Sequence, residues 1–426
     1  MKIYKNLKSS DYKPVLQRPA MDTTVLFDAV KSILTDIKNN GDVAVKKYVS
    51  KFDKVDLTDF LVSETEIQEA ENQLDTKLKR AILTAKKNIE KFHKKQIAKP
   101  EVVETMRGVK CWRKSVGIER VGLYIPGGTA PLFSTVLMLG IPAKLAGCKK
   151  IVLCSPPTGG TIHPAILFAA KTVGITKIFK LGGVQAIGAM AYGTETVPQV
   201  YKIFGPGNQY VVAAKQVINT EGVAIDMPAG PSEVMVIADE TANPIFVAAD
   251  LLSQAEHGSD SQVVLLAYSE QIVSEVLKEI DNQCLTLPRV DIIKQALENS
   301  VAIVVKNDAE AMAIANYYAP EHLILSVKNA DILTEKVVNA GSVFIGNYSP
   351  ESVGDYASGT NHTLPTNGYA KAYSGVSLDS FVKKITFQRL DTEGVKNIAA
   401  TVILMAEAEQ LQAHANAVKV RIRDTE

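Results

Sequence analysis

The stretch KIFKLGGVQAIGAMAYG, residues 177–193, compresses one structural unit into a single line. An apolar run leads into a glycine pair at 182–183, and an alanine-rich helical segment follows. The same order recurs in VGLYIPGG (121–128), KIVLCSPPTGG (150–160) and YKIFGPGNQYVVAAKQV (201–217), where short apolar runs end in glycine turns. Strand, tight turn and helix in strict alternation predict a mostly parallel sheet with helices on both faces. A second block repeats the alternation with other turns: SEVMVIAD (232–239), a helix to His257, SQVVLLAYS (261–269), VAIVVK (301–306), LILSV (323–327) and SVFIG (342–346).

Outside these blocks the patterning is helical. TTVLFDAVKSILTDIKNNG (23–41) has apolar residues at helical spacing and a stop at Gly41. Ser63 and Glu66 have the spacing of a capping box opening the next amphipathic run, in whose basic tail His93 is expected to be solvated. After Ser377 both SLDSFVKKITFQRL (377–390) and the segment from Thr392 to Asp424 read as helix, with an apolar face that must pack on its own core or on a neighbouring subunit.

With 426 residues, 46% apolar and 22% charged, the chain has room for about three domains with sizeable cores. Forty-seven Lys and Arg against 46 Asp and Glu leave a net charge of +1, so no nucleic-acid footprint is expected. Cys111, Cys148, Cys154 and Cys284 show no metal or disulfide spacing, which suits reduced thiols. The start shows no apolar signal region, and no apolar run approaches the roughly 18 residues of a membrane helix. The expectation is a cytoplasmic protein that does not meet a membrane.

Glycine turns opening onto helix N-termini are where α/β folds take phosphates. Pro126-Gly127-Gly128, Gly182-Gly183 and Gly205-Pro206-Gly207-Asn208 qualify, though none is a complete dinucleotide fingerprint: Tyr210 stands where the third glycine belongs, and no clean acidic ribose ligand follows. Taken singly, each is as well explained by a tight turn that merely needs glycine.

Six histidines exist, and four of them, His257, His322, His362 and His414, lie after residue 250 beside polar or acidic residues. Gln254 and His257, at i and i+3, share a face of a last helical turn, where the helix dipole favours a cation. That cation is either protonated His257 itself or a metal held between amide oxygen and imidazole. Glu321 and His322 follow Pro320, where a helix must end, and form a candidate acid–base pair. Asp355 and His362 share a polar loop and meet only if it folds back. Glu409 and His414, at i and i+5 of one helix, would diverge by about 140° and cannot be neighbouring ligands of one ion.

Read together, YIPGGTAPLFSTVLM, GGVQAIGAMAYGT, GPGNQYVVAAK, PAGPSEVMVIAD, DLLSQAEHG, APEHL, GDYASGTNHTLPT and EQLQAHANAV resemble the histidinol dehydrogenase family over nearly the whole chain. The small departure is Ser259, where the family pattern has proline. The resemblance implies a zinc- and NAD-dependent four-electron oxidation of L-histidinol through L-histidinal to L-histidine. It implies one zinc per subunit held by Gln254, His257, Asp355 and His414, and not by Glu256. His322 would be the general base and Glu321 the residue that activates water. Ser232, His362 and Glu409 would contact substrate, beside the ligands, and Tyr124, Gln185 and Asn208 would contact NAD. It further implies a homodimer with shared active sites, whose C-terminal helices reach the partner's cleft.

The expected fold is α/β, with two incomplete Rossmann-like doubly wound domains and helical extensions at both ends. Residues 1–20 form an N-terminal extension; 21–120 and 233–376 form a discontinuous domain on the substrate and metal side. Residues 121–232 form an inserted NAD-binding domain, and 377–426 a helical dimerisation tail. Two rivals stand beside this reading. One is a related zinc/NAD dehydrogenase acting on another amino alcohol or diol; the other is a non-catalytic sugar- or nucleotide-binding protein of two α/β lobes, which leaves the Glu/His pairs unexplained.

Overall fold

The computed structural model describes residues 1–19, 24–127 and 131–423. In chain order, β1 (Lys2–Lys5) comes first, and β2 (Val102–Met106) and β3 (Val109–Gly117) form a hairpin. Next come β4 (Arg120–Tyr124), β5 (Lys150–Ser155), β6 (Lys177–Lys180), β7 (Lys202–Phe204) and β8 (Ala224–Ile225). The second block gives β9 (Glu233–Ala238), β10 (Gln262–Ala267), β11 (Val301–Val304), β12 (His322–Ser326) and β13 (Ser342–Ile345), and β14 (Val382–Leu390) closes the series.

Two parallel sheets result. One has five strands in the order β6-β5-β4-β7-β8; the other has six, β1-β11-β10-β9-β12-β13. The middle strands read as unbroken apolar runs because they are covered on both faces. On the five-stranded sheet, one face buries Val136, Leu139 and Ile166 and the other Ile187, Val211 and Ile218. On the six-stranded sheet, Leu251 and Val276 lie on one side and Ile314 and Leu333 on the other.

The packing differs from the expected grouping of segments at two points. Within the expected extension, residues 2–5 are an edge strand of the six-stranded sheet, paired with β11 from Lys2↔Val301 to Lys5↔Val304. The helices within 24–94 cover the five-stranded sheet instead of joining 233–376: Leu34 and Ile37 pack with Ile187, and Ile82 and Ile89 pack with Leu123 and Leu137. Their apolar stripes match the nearer sheet, and that complementarity outweighs sequence order.

Helix 24–48 breaks at Gly41 (φ +51°), as its sequence predicts, but resumes beyond it to Tyr48. The capping box forms: the Glu66 N–H donates to Ser63 Oγ at 3.1 Å and the Ser63 N–H to Glu66 Oε2 at 2.8 Å. His93 is a correction. It is 1% exposed and donates from Nδ1 to the Ile89 carbonyl at 2.9 Å, because it continues the buried stripe Ile82, Ala85, Ile89 of its helix. Burial lowers its pKa below the usual histidine range.

The C-terminal region is also corrected. Residues 382–390 form a strand, paired antiparallel with β3 from Val382↔Gly117 to Leu390↔Val109, in a small sheet β14-β3-β2. The apolar positions Val382, Ile385, Phe387 and Leu390 mimic helical spacing, but a nine-residue ladder satisfies the backbone and wins. The tail beyond it is two helices, Thr392–Ala408 and Gln412–Arg423, separated at Gln410 (φ +61°). Glu409 and His414 are therefore not on one helix.

Candidate active site

The centre is built around His322, the first residue of β12. The helix Asp308–Tyr318 ends in the left-handed residue Ala319 (φ +54°), and Pro320 bars its continuation. The chain turns into the sheet with Glu321 and His322 buried at 6% and 3% exposure. Parallel pairing sets His322 beside Val234, one residue past Glu233. The imidazole Nδ1–H donates to the Glu233 carbonyl at 3.1 Å. A carbonyl only accepts, so Nδ1 carries a proton, and Nε2 is the atom at which the ring gains or loses its second one. That Nε2 is buried without a hydrogen-bond partner.

Three carboxylates ring the imidazole. Glu321 Oε2 lies 3.8 Å and Glu351 Oε1 4.0 Å from Nδ1, and Asp355 Oδ1 lies 3.5 Å from Nε2. Burial disfavours an imidazolium here, but Glu351, Glu321 and Asp355 outweigh it and raise the His322 pKa well above the usual range. Burial pushes the Glu321 carboxyl up to about 8 and raises that of Glu351 as well. Burial acts the same way on Asp355, yet contact with His322 more than compensates and holds its pKa low. Burial also pushes Asp250, one turn before Gln254, up to about 7.

The helix Pro244–Ala255 delivers its end to the same place. Gln254 is 1% exposed; its amide is satisfied at both ends when the oxygen accepts from the Glu233 N–H at 2.9 Å and the nitrogen faces Glu351. His257 is exposed just past the helix end. Each of His257, Glu351 and Asp355 offers a ligand atom, all within 4.8 Å of one another. Glu351 Oε2 has no hydrogen-bond partner. Nitrogen and oxygen donors without thiolate, one of them an orphaned carboxylate oxygen, fit a divalent cation.

The polar loop after Asp355 does fold back. His362 Nδ1 donates to the Asp355 carbonyl at 2.8 Å, and its Nε2 meets the Thr135 hydroxyl at 3.1 Å, tying the loop to the helix Phe133–Leu145 on the other lobe. Burial lowers the His362 pKa, in keeping with a neutral ring. Ser232 immediately precedes β9. Behind it, Arg18 grips Glu233 with two bonds (2.5 and 2.8 Å) while its guanidinium lies 3.9 Å over the Tyr318 ring. The N-terminal segment thus buttresses the strand that carries His322's partner.

Sequence reasoning missed Glu351, whose neighbours in SPES give no metal or catalytic spacing; only a small helix, Glu351–Tyr356, aligns it with Asp355. Two expected residues are not brought in. Glu409 and His414 are both exposed in the tail, and within one chain the cluster forms without them.

The five-stranded lobe carries a cavity of about 850 Å³, lined by Tyr124, Gln185 and Asn208 together with Asp53, Gly127 and Pro156. It opens at the carboxyl ends of β4, β6 and β7, where the strand order reverses, which is the usual place for a nucleotide. The Gly183 N–H donates to the Tyr124 hydroxyl at 3.1 Å, and Asn208 caps the helix Gln209–Thr220 through the N–H groups of Tyr210 and Val211. At Gly205 (φ +126°) a Cβ would sit 2.0 Å from the Tyr124 carbonyl, so only glycine lets β7 turn there. Gly128 lies outside the described residues.

A two-lobed α/β enzyme is the class these features define, with an acid–base centre on one lobe and a nucleotide-type crevice on the other. Residues 16–422 match the family model described as histidinol dehydrogenase. Histidinol dehydrogenase of Bacteroides thetaiotaomicron is 60% identical over 99% of both chains, and the chloroplastic histidinol dehydrogenase of Arabidopsis thaliana is 51% identical over 100% of this chain and 92% of its own. The crystal structure of histidinol dehydrogenase from Elizabethkingia anophelis, 56% identical, superposes with a TM-score of 0.98 over 100% of this chain and 98% of that one. The chain belongs to the histidinol dehydrogenase family.

Proposed function

We propose that this protein oxidises L-histidinol to L-histidine through L-histidinal, reducing two NAD and consuming one water. The observation that carries the reading is His322, with Nδ1 pinned and Nε2 free among three buried carboxyl groups. In the first step Nε2 takes the hydroxyl proton while hydride leaves the same carbon for the nicotinamide. In the second, Glu321 takes a proton from the water that adds to the aldehyde. His322, having released its first proton, takes the remaining hydroxyl proton of the resulting hydrate anion as the second hydride departs. A carboxyl pushed up to about 8 is a strong acceptor once ionised, which suits Glu321 to that work.

Gln254, His257 and Asp355, completed by His414 of a second copy, would hold one zinc per subunit, and we add Glu351 to the walls of that cage. When bound, the ion supplies an anchor for the amino and imidazole nitrogens of histidinol, which is positioning. Ser232, His362 and Glu409 would line the substrate, and Tyr124, Gln185 and Asn208 the NAD. We assign a homodimer because the tail leaves Leu404, Met405 and Leu411 exposed at 67%, 62% and 44%, an apolar face suited to a second copy. Four unpaired thiols suit a cytoplasmic setting, and among the described residues no helix is long and apolar enough to cross a membrane.

The test is stoichiometry. Two NADH per histidinol consumed are expected; one would reduce the reading to a simple alcohol oxidation, and turnover of plain diols at equal rate would favour the rival substrate class. Mixed dimers of His322→Ala and His414→Ala subunits test the shared site, since each dimer then retains one intact centre. Recovery of activity is expected, and its absence would refute the shared arrangement.

A further inference from the structure

The acidic residue that follows the Gly205 turn, Asp226, is buried in an ion pair with Lys215 and accepts from the Gly205 N–H, so it is not left for a cofactor, and the structure brings another carboxylate to the cavity from elsewhere. Asp53 closes the turn Val49–Asp53 after helix 24–48, in the segment that packs on this lobe from outside the strand–helix alternation. Its Oδ2 accepts from Gln185 Nε2 at 3.0 Å and from the Gly182 N–H at 3.4 Å. Asp53 and Gln185 both line the cavity. Gln185 is 1% exposed, and its Oε1 has no hydrogen-bond partner. An amide offers two N–H donors at one end and an acceptor at the other, whereas an ionised carboxylate only accepts. Asp53 therefore decides which end of Gln185 it holds and which end is left over.

We infer that Asp53 is a positioning residue for the dinucleotide: by holding Gln185 Nε2 it leaves Oε1 as an acceptor for a hydroxyl or amide N–H of the cofactor. The inference rests on reading the cavity as the NAD site. Asp53→Asn preserves the shape but supplies a donor that can hold the Gln185 oxygen, so the amide is free to reverse and present N–H groups instead.

Steady-state kinetics of Asp53→Asn, Gln185→Ala and the double variant decide it. Asp53→Asn is expected to raise KM for NAD about five- to tenfold, the cost of one misplaced buried hydrogen bond. Both kcat and KM for histidinol should stay within about twofold, because general damage to the fold would move all three. On the Gln185→Ala background, Asp53→Asn should add nothing, since the amide through which it acts is gone. An unchanged KM for NAD in Asp53→Asn, with Gln185→Ala impaired, overturns the inference alone. So does a full multiplicative loss in the double variant. If Gln185→Ala itself binds NAD normally, the reading of the cavity falls too.

Discussion

The two sheets share a topology and use opposite edges. Leaving β1 aside, β11-β10-β9-β12-β13 repeats the order of β6-β5-β4-β7-β8, strand for strand. In the five-stranded lobe, Tyr124, Gly183 and Asn208 gather at the carboxyl edge, where the helices Gly183–Tyr192 and Gln209–Thr220 begin. In the six-stranded lobe, Glu233, Glu321 and His322 stand at the amino edge, where the helices Pro244–Ala255 and Asp308–Tyr318 finish. Helix N-termini carry partial positive charge and C-termini partial negative charge, so one edge suits phosphates and the other cations. Strand order alone does not say where a ligand goes; which helix ends converge, and the charge of the ligand, decide it.

The largest expected effect lies at the amino edge. His322→Ala should lower kcat by about 10²–10⁴-fold while NAD affinity, followed by fluorescence titration, is unaltered. Comparable loss of NAD binding would show that the two edges are not independent. Asp355→Asn should weaken zinc retention by about a hundredfold or more, read as metal per chain after dialysis; full zinc content would remove Asp355 from the ligand set. At the carboxyl edge, Gly205→Ala should cost about 2–4 kcal/mol in denaturant unfolding, because the new Cβ has nowhere to go. A neutral result would mean that β7 can shift without penalty.

The pH profile sharpens the contrast further. Both proposed bases work deprotonated and both have raised pKa values, so activity should fall on the acid side above the usual histidine range, with Glu321 taking up its proton below about 8, by about tenfold per unit where one proton controls the rate. A profile flat down to the usual histidine range would exclude these groups. The smallest effect on stability is that of Asn208→Ala, which should cost about 1 kcal/mol through the lost cap and leave zinc content unchanged.

The edges also differ in how far sequence reveals them. Glycine turns, apolar strands and the Gln254, His257 and Glu321-His322 pairs are local patterns, and they point to two parallel sheets and to residues of both candidate sites. Glu351 and Asp53 carry no local pattern; each matters only because a distant segment docks beside it. The strand Val382–Leu390 misleads because its apolar spacing fits either periodicity until β3 is there to pair with it. His93 misleads because lysines on adjoining faces hide a buried stripe.

One feature governs the order in which the molecule can be assembled. Arg18 meets Tyr318 across 300 positions of chain, and β1 pairs with β11. The segment carrying β1 and Arg18 must wait unpaired until the chain some 300 positions further on has been made. Contacts of such sequence separation form slowly, and the waiting strand offers its edge to other chains meanwhile. Histidine synthesis would then depend on a late clasp, closed only after both lobes have taken shape.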